Sequence, residues 1–323
     1  MNKVIKSRNG HNITELLDIN IPFRCVYDWD YSAVDGKTER LYKLAKQNSW
    51  DEDVDINWNL PSFPKTENLP ENFICEWSNY SYFAEMESKD KLSYLSDYLA
   101  WGLSQVLHGE QGAFLVSSQL VLQAPTFSAK KYAASQTIDE AKHVLVFNRY
   151  IERQFRNRHD ITHSLRKLLD KILMSEEWDL KFIGMQLVIE NLALANFNEI
   201  KKYINDPLLR NILSYVIADE SRHISFGIDY LKRLVSNLSK KEISLREDFA
   251  FEACCLAYEN TKPYELWNKY NWPITFSKSH FETTKYYRSF KKNMSSRILP
   301  HLDRIGLLSE RAMKKYRDFG LAD

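Results

Sequence analysis

The chain has 323 residues, with 44 Lys and Arg set against 43 Asp and Glu, so its charges nearly cancel. That balance excludes the basic excess expected of a nucleic-acid or anionic-membrane partner, and 44% hydrophobic with 27% charged residues excludes disorder. Nine Gly and nine Pro are few for this length and argue against a turn-rich β fold and for long helices.

In chain order, residues 1–85 read as an N-terminal arm, with one helix predicted over Lys37–Gln47 and a wrapping arm or loop from Pro61-Ser62-Phe63-Pro64 through Pro70. Residues 89–238 read as a bundle. Leu92–Gln123 has apolar positions recurring at three and four, which is helical spacing, and Pro125 ends it. Ser128 is the expected N-cap of a second long helix reaching Arg156, and a shorter helix is predicted over Ser164–Met174. A third long segment runs from Glu177 to Tyr203. It stops at Asn205-Asp206-Pro207, with Asp206 as N-cap and Pro207 at the first position of a fourth helix reaching Asn237. Residues 242–323 are expected to add C-terminal helices, over 242–260 and 302–318, separated by an aromatic, proline-containing segment with Trp267, Trp272 and Pro273. The expectation is one all-α domain over residues 1–323: a four-helix bundle with additional flanking helices.

The four cysteines, Cys25, Cys75 and the adjacent Cys254 and Cys255, have neither disulfide-framework nor Cys-x-x-Cys spacing and read as free thiols of a reducing compartment. No signal core and no run of about 20 apolar residues is present, so a cytoplasmic location and no membrane span are expected.

Two Glu-x-x-His pairs carry the chemistry, Glu140–His143 and Glu220–His223, 80 residues apart. At i and i+3 of a helix a carboxylate and an imidazole share one face and can reach one metal. Each pair lies within Asp-Glu-x-x-His, starting at Asp139 and Asp219. On the preceding helices, Glu110 and Glu190 each fall 30 residues before the Glu of the following pair, Glu140 and Glu220. In a helical hairpin, residues equidistant from the turn share a level. The midpoints are Pro125 and Asn205, inside the two turns already marked by breakers. Each arm is then roughly 22 Å long at about 1.5 Å per residue. Packing the hairpins together gathers Glu110, Glu140, His143, Glu190, Glu220 and His223. Four buried carboxylates would repel, and two divalent cations offset them. Oxygen-rich ligation with one imidazole per metal suits iron or manganese better than zinc or Cu(I). Asp139 and Asp219 are expected to accept the other N–H of a ligating His, each from the opposite hairpin. Phe114, Phe147 and Leu194, one turn after a ligand, and Phe197, two turns after Glu190, with Gln136 and Gln186 one turn before a ligand, are the expected pocket; Gly109, Gly112 and Ala113 leave room.

With these residues, about 100–230 of the chain resembles the ferritin-like di-iron carboxylate superfamily. Gly109-Glu110-Gln111 and Asp139-Glu140-Ala141-Lys142-His143 are similar to hydroxylase subunits of bacterial multicomponent monooxygenases. Asp219-Glu220-Ser221-Arg222-His223-Ile224-Ser225-Phe226-Gly227 is similar to segments of the superfamily's oxygenases and of ribonucleotide reductase small subunits. Phe147 stands where those reductase subunits place a radical-bearing Tyr, Leu194 where multicomponent hydroxylases place a Thr, and Val216 where arylamine N-oxygenases of this fold add a third His. The resemblance implies a ferritin-like bundle holding two iron ions, or manganese or mixed manganese–iron. It implies an O2-activating oxygenase acting on a small, largely apolar or aromatic substrate. No dinucleotide loop or cluster cysteines are present, so the electrons are expected from a separate reductase or ferredoxin. Two alternatives stay open: a metal and radical subunit like those of ribonucleotide reductase, and an iron-binding protein without organic substrate. The Trp- and Tyr-rich tail after residue 258 is expected either to cover the bundle or to form a homodimer contact.

Overall fold

A computed structural model describes residues 25–31, 35–62, 77–155 and 158–322, and these are mostly helical with no strand among them. Two long helical hairpins dominate. In the first, α2 (Ser88–Gln123) packs along α3 (Phe127–Gln154) across the turn at Pro125. The cap of α3 is Thr126, whose side chain accepts from the Ala129 amide at 3.2 Å. Ser128 lies inside the helix, with its hydroxyl turned to Glu39, so the expected N-cap is corrected by two residues. Ala124, the residue before Pro125, has already left the helix at ψ 136°, and Thr126 is extended at ψ 147° with its hydroxyl free to cap.

A short helix, α4 (His163–Leu173), leads to the second hairpin. Its outgoing arm, α5, consists of Trp178–Phe182, a π-helical stretch Ile183–Glu190, and Asn191–Tyr203. The return arm, α6 (Pro207–Val235), starts at Pro207 with Asp206 Oδ1 accepting from the Leu209 amide at 2.8 Å. The π stretch adds a residue to the turn and re-aims the side chains after it. It accompanies a close approach: a Cβ on Gly227 of α6 would lie 2.7 Å from Cβ of Gln186.

Other elements clad this bundle. Helix α1 (Gly36–Gln47) lies across α3 and α6, and α7 (Lys240–Glu259), opened by a Ser239/Glu242 capping box, packs on α4 and the π stretch. The segment after α7 is not a spacer. It forms α8 (Tyr264–Lys269), α9 (Ile274–Phe281) and α10 (Lys285–Asn293), with Pro263 and Pro273 at the N-caps of α8 and α9, where a missing N–H costs nothing. Trp267 and Trp272 are buried with Trp77, Tyr94 and Tyr98 against the start of α2, so this part of the tail covers the bundle of its own chain. The expected helix over 302–318 is two, Leu299–Ile305 and Glu310–Asp318. Gly306, at φ +84°, makes the left-handed stop between them, while Leu307 N–H bonds back to Leu302 O.

Most of Pro61–Pro70, together with Cys75 and Arg156, lies outside the described residues. Cys25, Cys254 and Cys255 are free thiols. No helix among the described residues is long and apolar enough to cross a membrane.

Candidate metal centre

The hairpins bring six side chains together near mid-bundle. Glu110 comes from α2, Glu140 and His143 from α3, Glu190 from the end of the π stretch, and Glu220 and His223 from α6. All six are buried. Their ligating atoms form two groups, each within 4.8 Å: Glu110, Glu140, His143 and Glu220 in one, and Glu140, Glu190 and His223 in the other. Nδ1 of His143 lies 3.2 Å from Glu110, 3.3 Å from Glu140 and 3.2 Å from Glu220. Nδ1 of His223 lies 3.2 Å from Glu140 and 3.6 Å from Glu220. Glu140 and Glu220 thus stand between the imidazoles, while Glu110 flanks one side and Glu190 the other.

Nε2 of each imidazole turns to the aspartate of the opposite hairpin. His143 Nε2–H donates to Asp219 Oδ2 at 3.1 Å, and His223 Nε2–H donates to Asp139 Oδ2 at 3.4 Å. An ionised carboxylate only accepts, so Nε2 carries a proton in each ring, and Nδ1 is the nitrogen that faces the glutamates and becomes a ligand once it is deprotonated. Three groups bearing on these aspartates gave no sequence signal. Arg222 Nη2 donates to both Asp219 and Asp139, and Lys142 Nζ lies 2.8 Å from Asp139. Trp50, ahead of the bundle, donates its indole N–H to Asp219 Oδ2 at 2.7 Å and stacks near His143 with 6.3 Å between ring centroids.

The electrostatics are those of a crowded acidic cavity. Burial pushes Glu110 up to about 8 despite its hydrogen bond with His143. Burial and the neighbouring Glu220 push Glu190 well above the carboxylate range. Burial would depress His143, yet its bonds with Asp219, Glu110, Glu140 and Glu220 hold it well above the usual histidine value. His223 is raised likewise, against burial, chiefly by the charge of Glu140. Burial also works against the charged form of Asp219, but His143 and Arg222 hold it below its ordinary value.

A cation pair fits these residues. Oε2 of Glu140, Glu190 and Glu220 and Nδ1 of His223 are buried with no hydrogen-bond partner; His223 Nδ1 is near Glu140 but poorly aligned. Leaving four such buried atoms without a partner is costly, and metal ions bound to the deprotonated groups answer all four at once.

Gln136 and Gln186 belong to the framework of the cluster. Gln136 donates to Glu140 Oε1 at 3.1 Å and Glu190 Oε1 at 2.9 Å, and Gln186 donates to Gln136 at 3.4 Å. A cavity of about 150 Å³ opens beside Glu110, Glu190 and Glu220, and none of the six expected pocket residues lines it. Phe147 and Phe197 stack on each other in a separate apolar cluster, Leu194 packs against the main core, and Phe114 is half-buried on α2. One turn from a ligand means the same helix face but not the same side of the cluster. The cavity lies toward α2, α4, α5, α7 and α10, away from Phe147 on α3. Gly109 and Ala113 do line it, but Gly112 does not: a Cβ there would meet Leu169 of α4 at 2.4 Å, so its role is helix packing.

Residues 32–300 match the family model of the p-aminobenzoate N-oxygenase AurF. The chain belongs to this family. As an AurF-family member it is an oxidoreductase of the ferritin-like di-iron carboxylate superfamily, whose cofactor is a metal pair. A 260-residue stretch is 21% identical to an uncharacterized protein of Mycobacterium tuberculosis strain H37Rv, covering 77% of this chain and 76% of that one. A Mycobacterium bovis relative matches with the same figures. The AurF-family chain shares its fold with an R2-like ligand-binding oxidase carrying an aerobically reconstituted Mn/Fe cofactor. There the TM-score is 0.53 at 16% identity, over 87% of this chain and 94% of that one. A second structure of an R2-like ligand-binding oxidase, after photoconversion, gives 0.51 at 15% identity, over 87% and 95%. In this AurF-family member Val216 is fully buried in the apolar cluster with Phe147 and Phe197, and it offers no donor where arylamine N-oxygenases carry a third His.

Proposed function

We propose that this chain is an O2-dependent oxygenase of a small, largely apolar or aromatic molecule, using electrons from a separate reductase or ferredoxin. In this reading Glu110, Glu140, His143 and Glu220 hold one metal and Glu190, His223, Glu140 and Glu220 the other. The observation that carries it is the pair of donor groups sharing Glu140, each with one imidazole, opening on an adjoining cavity. Two iron ions, or manganese with iron, would supply the O2 and redox chemistry.

The protein's own contribution follows from the residues. Asp139 and Asp219 fix the tautomer and the ring orientation of the histidine each one faces. Gln136 holds Glu140 and Glu190 at a set spacing through its two N–H donors. Arg222 donates to both Asp139 and Asp219; its charge helps keep Asp219 ionised, while His223 and Lys142 do so for Asp139, so that both keep accepting. The apolar cladding excludes bulk water from the reacting groups. The cavity binds the substrate against Glu110, Glu190 and Glu220.

The test is anaerobic loading with Fe(II), then exposure to O2 with a chemical reductant and small aromatic amines or phenols. O2 uptake that rises with substrate, with one oxygen atom gained in the product by mass spectrometry, supports the oxygenase. Iron oxidation at the same rate with every substrate left intact favours an iron-binding protein and refutes the oxygenase.

A further inference from the structure

The cavity beside the cluster has a volume of about 150 Å³, the size at which an apolar protein cavity takes up one benzene ring. One wall is acidic: Glu110, Glu190 and Glu220. Among the described residues no Lys, Arg or His lines any part of it. Elsewhere the walls are mostly apolar, from Val106, Leu165, Leu168, Ile189 and Phe290. Most polar groups on them are already engaged. Gln105 donates to Asp160 O and accepts from Thr162 N–H, and Thr261 donates to Tyr258 O. Asn260 accepts from the Thr162 hydroxyl, which leaves its amide N–H groups without an acceptor among the described residues. The indole N–H of Trp101 is also buried without an acceptor. The remaining polar groups on these walls, the indole N–H of Trp101 and the side-chain amides of Asn260 and Asn196, are therefore neutral, and N–H donors are prominent among them.

Charge decides what such a site accepts. Four carboxylates against two divalent cations are balanced, so a guest carboxylate would add a fifth negative charge with no cation to pair it. Burying an unpaired carboxylate is strongly unfavourable, and the guest would have to enter protonated. With an ordinary carboxyl pKa near 4, only about one molecule in a thousand is protonated at pH 7. We propose that the cavity takes an uncharged, benzene-sized aromatic molecule bearing a neutral hydrogen-bond acceptor, and discriminates against the corresponding aryl carboxylate. The substrate class therefore differs from the p-aminobenzoate named in the family's description. The proposal rests on the oxygenase reading only in taking the cavity for the substrate's.

The test compares 4-aminobenzamide, aniline and p-aminobenzoate by isothermal titration calorimetry. It uses the anaerobic Fe(II)-loaded protein at pH 7, alongside the variant Gly102→Leu. Gly102 lines the cavity, and a Cβ built on it meets nothing within 4 Å, so a larger side chain can start there without displacing a neighbour, and leucine is the better helix former. The expected result is binding of aniline or the amide, with p-aminobenzoate weaker by about 30-fold or more. Gly102→Leu should lose the neutral ligand by at least about tenfold while holding the same iron with an unlowered Tm. Equal or tighter binding of p-aminobenzoate overturns the proposal. So does failure of both neutral compounds to bind, or unchanged affinity in Gly102→Leu. Because the readout is heat of binding, the two readings fail separately. Selective amide binding without O2 consumption sinks the oxygenase and leaves the cavity's preference standing; tight p-aminobenzoate binding with O2 consumption does the reverse.

Discussion

Replacing Asp219 by Asn removes a charge but almost no volume, and the structure specifies the consequence. Oδ2 of Asp219 accepts from Trp50 and His143, while Oδ1 accepts from Arg222. An amide offers one oxygen. If that oxygen takes the Oδ2 position, its NH2 faces the Arg222 guanidinium; if it takes Oδ1, the NH2 faces two N–H donors. In the better orientation Arg222 keeps its 3.3 Å bond to Asp139, and the His143 ring keeps an acceptor without a negative charge. Loss of such a partner costs about 10–100-fold in metal affinity, or about 1.4–2.7 kcal/mol. The effect should fall on the metal beside His143. Asp139→Asn should weaken the metal beside His223, because Asp139 accepts from that imidazole. Competition against a chromophoric chelator under anaerobic Fe(II), with circular dichroism confirming a folded protein, resolves the two steps. If folded Asp219→Asn binds both metals with wild-type affinity, the cross-hairpin support inferred for His143 is wrong.

Metal uptake should also release protons. Glu110, raised to about 8, carries a proton near neutrality without metal, Glu190, His143 and His223 are raised as well and hold their protons more tightly than free groups, and cations bind the deprotonated donors. Affinity should therefore fall as pH drops below about 8, and calorimetry in buffers of different ionisation heat should register the protons; a pH-independent affinity contradicts this assignment. At the start of α3, Thr126→Ala should cost about 1–2 kcal/mol in chemical denaturation and Thr126→Ser should restore most of it, because the hydroxyl caps Ala129 N–H.

The hairpins were legible in the sequence because their stop signals are local. Pro125 and Asn205-Asp206-Pro207 end and start helices through their own backbone chemistry, whatever packs around them. The gathering of Glu110 with Glu140, and of Glu190 with Glu220, follows from equal distances to those turns. The partners that arrive from a distance were not legible. Trp50 reaches Asp219 across 169 residues, and nothing in its flanking sequence points there. Arg222 sits between Glu220 and His223 with no role that its spacing indicates, and only the α3–α6 packing gives it a second aspartate. The π stretch over Ile183–Glu190 carries no marker of its own; its apolar run reads equally well as an ordinary helix. The cavity was misjudged for a related reason. Helical period identifies a face, but the far wall of the cavity comes from Asn260 on the end of α7 and Phe290 on α10, elements with no spacing relation to the ligands.

The central claim is that Glu110, Glu140, His143, Glu190, Glu220 and His223 together hold two metal ions. Anaerobic Fe(II) equilibrium dialysis of the wild-type chain, Glu140→Ala and Glu220→Ala measures it most directly. Two irons per wild-type chain, with both variants losing affinity at both positions, is the result expected from carboxylates that stand between the two imidazoles. Two irons bound with wild-type affinity in both variants would contradict it.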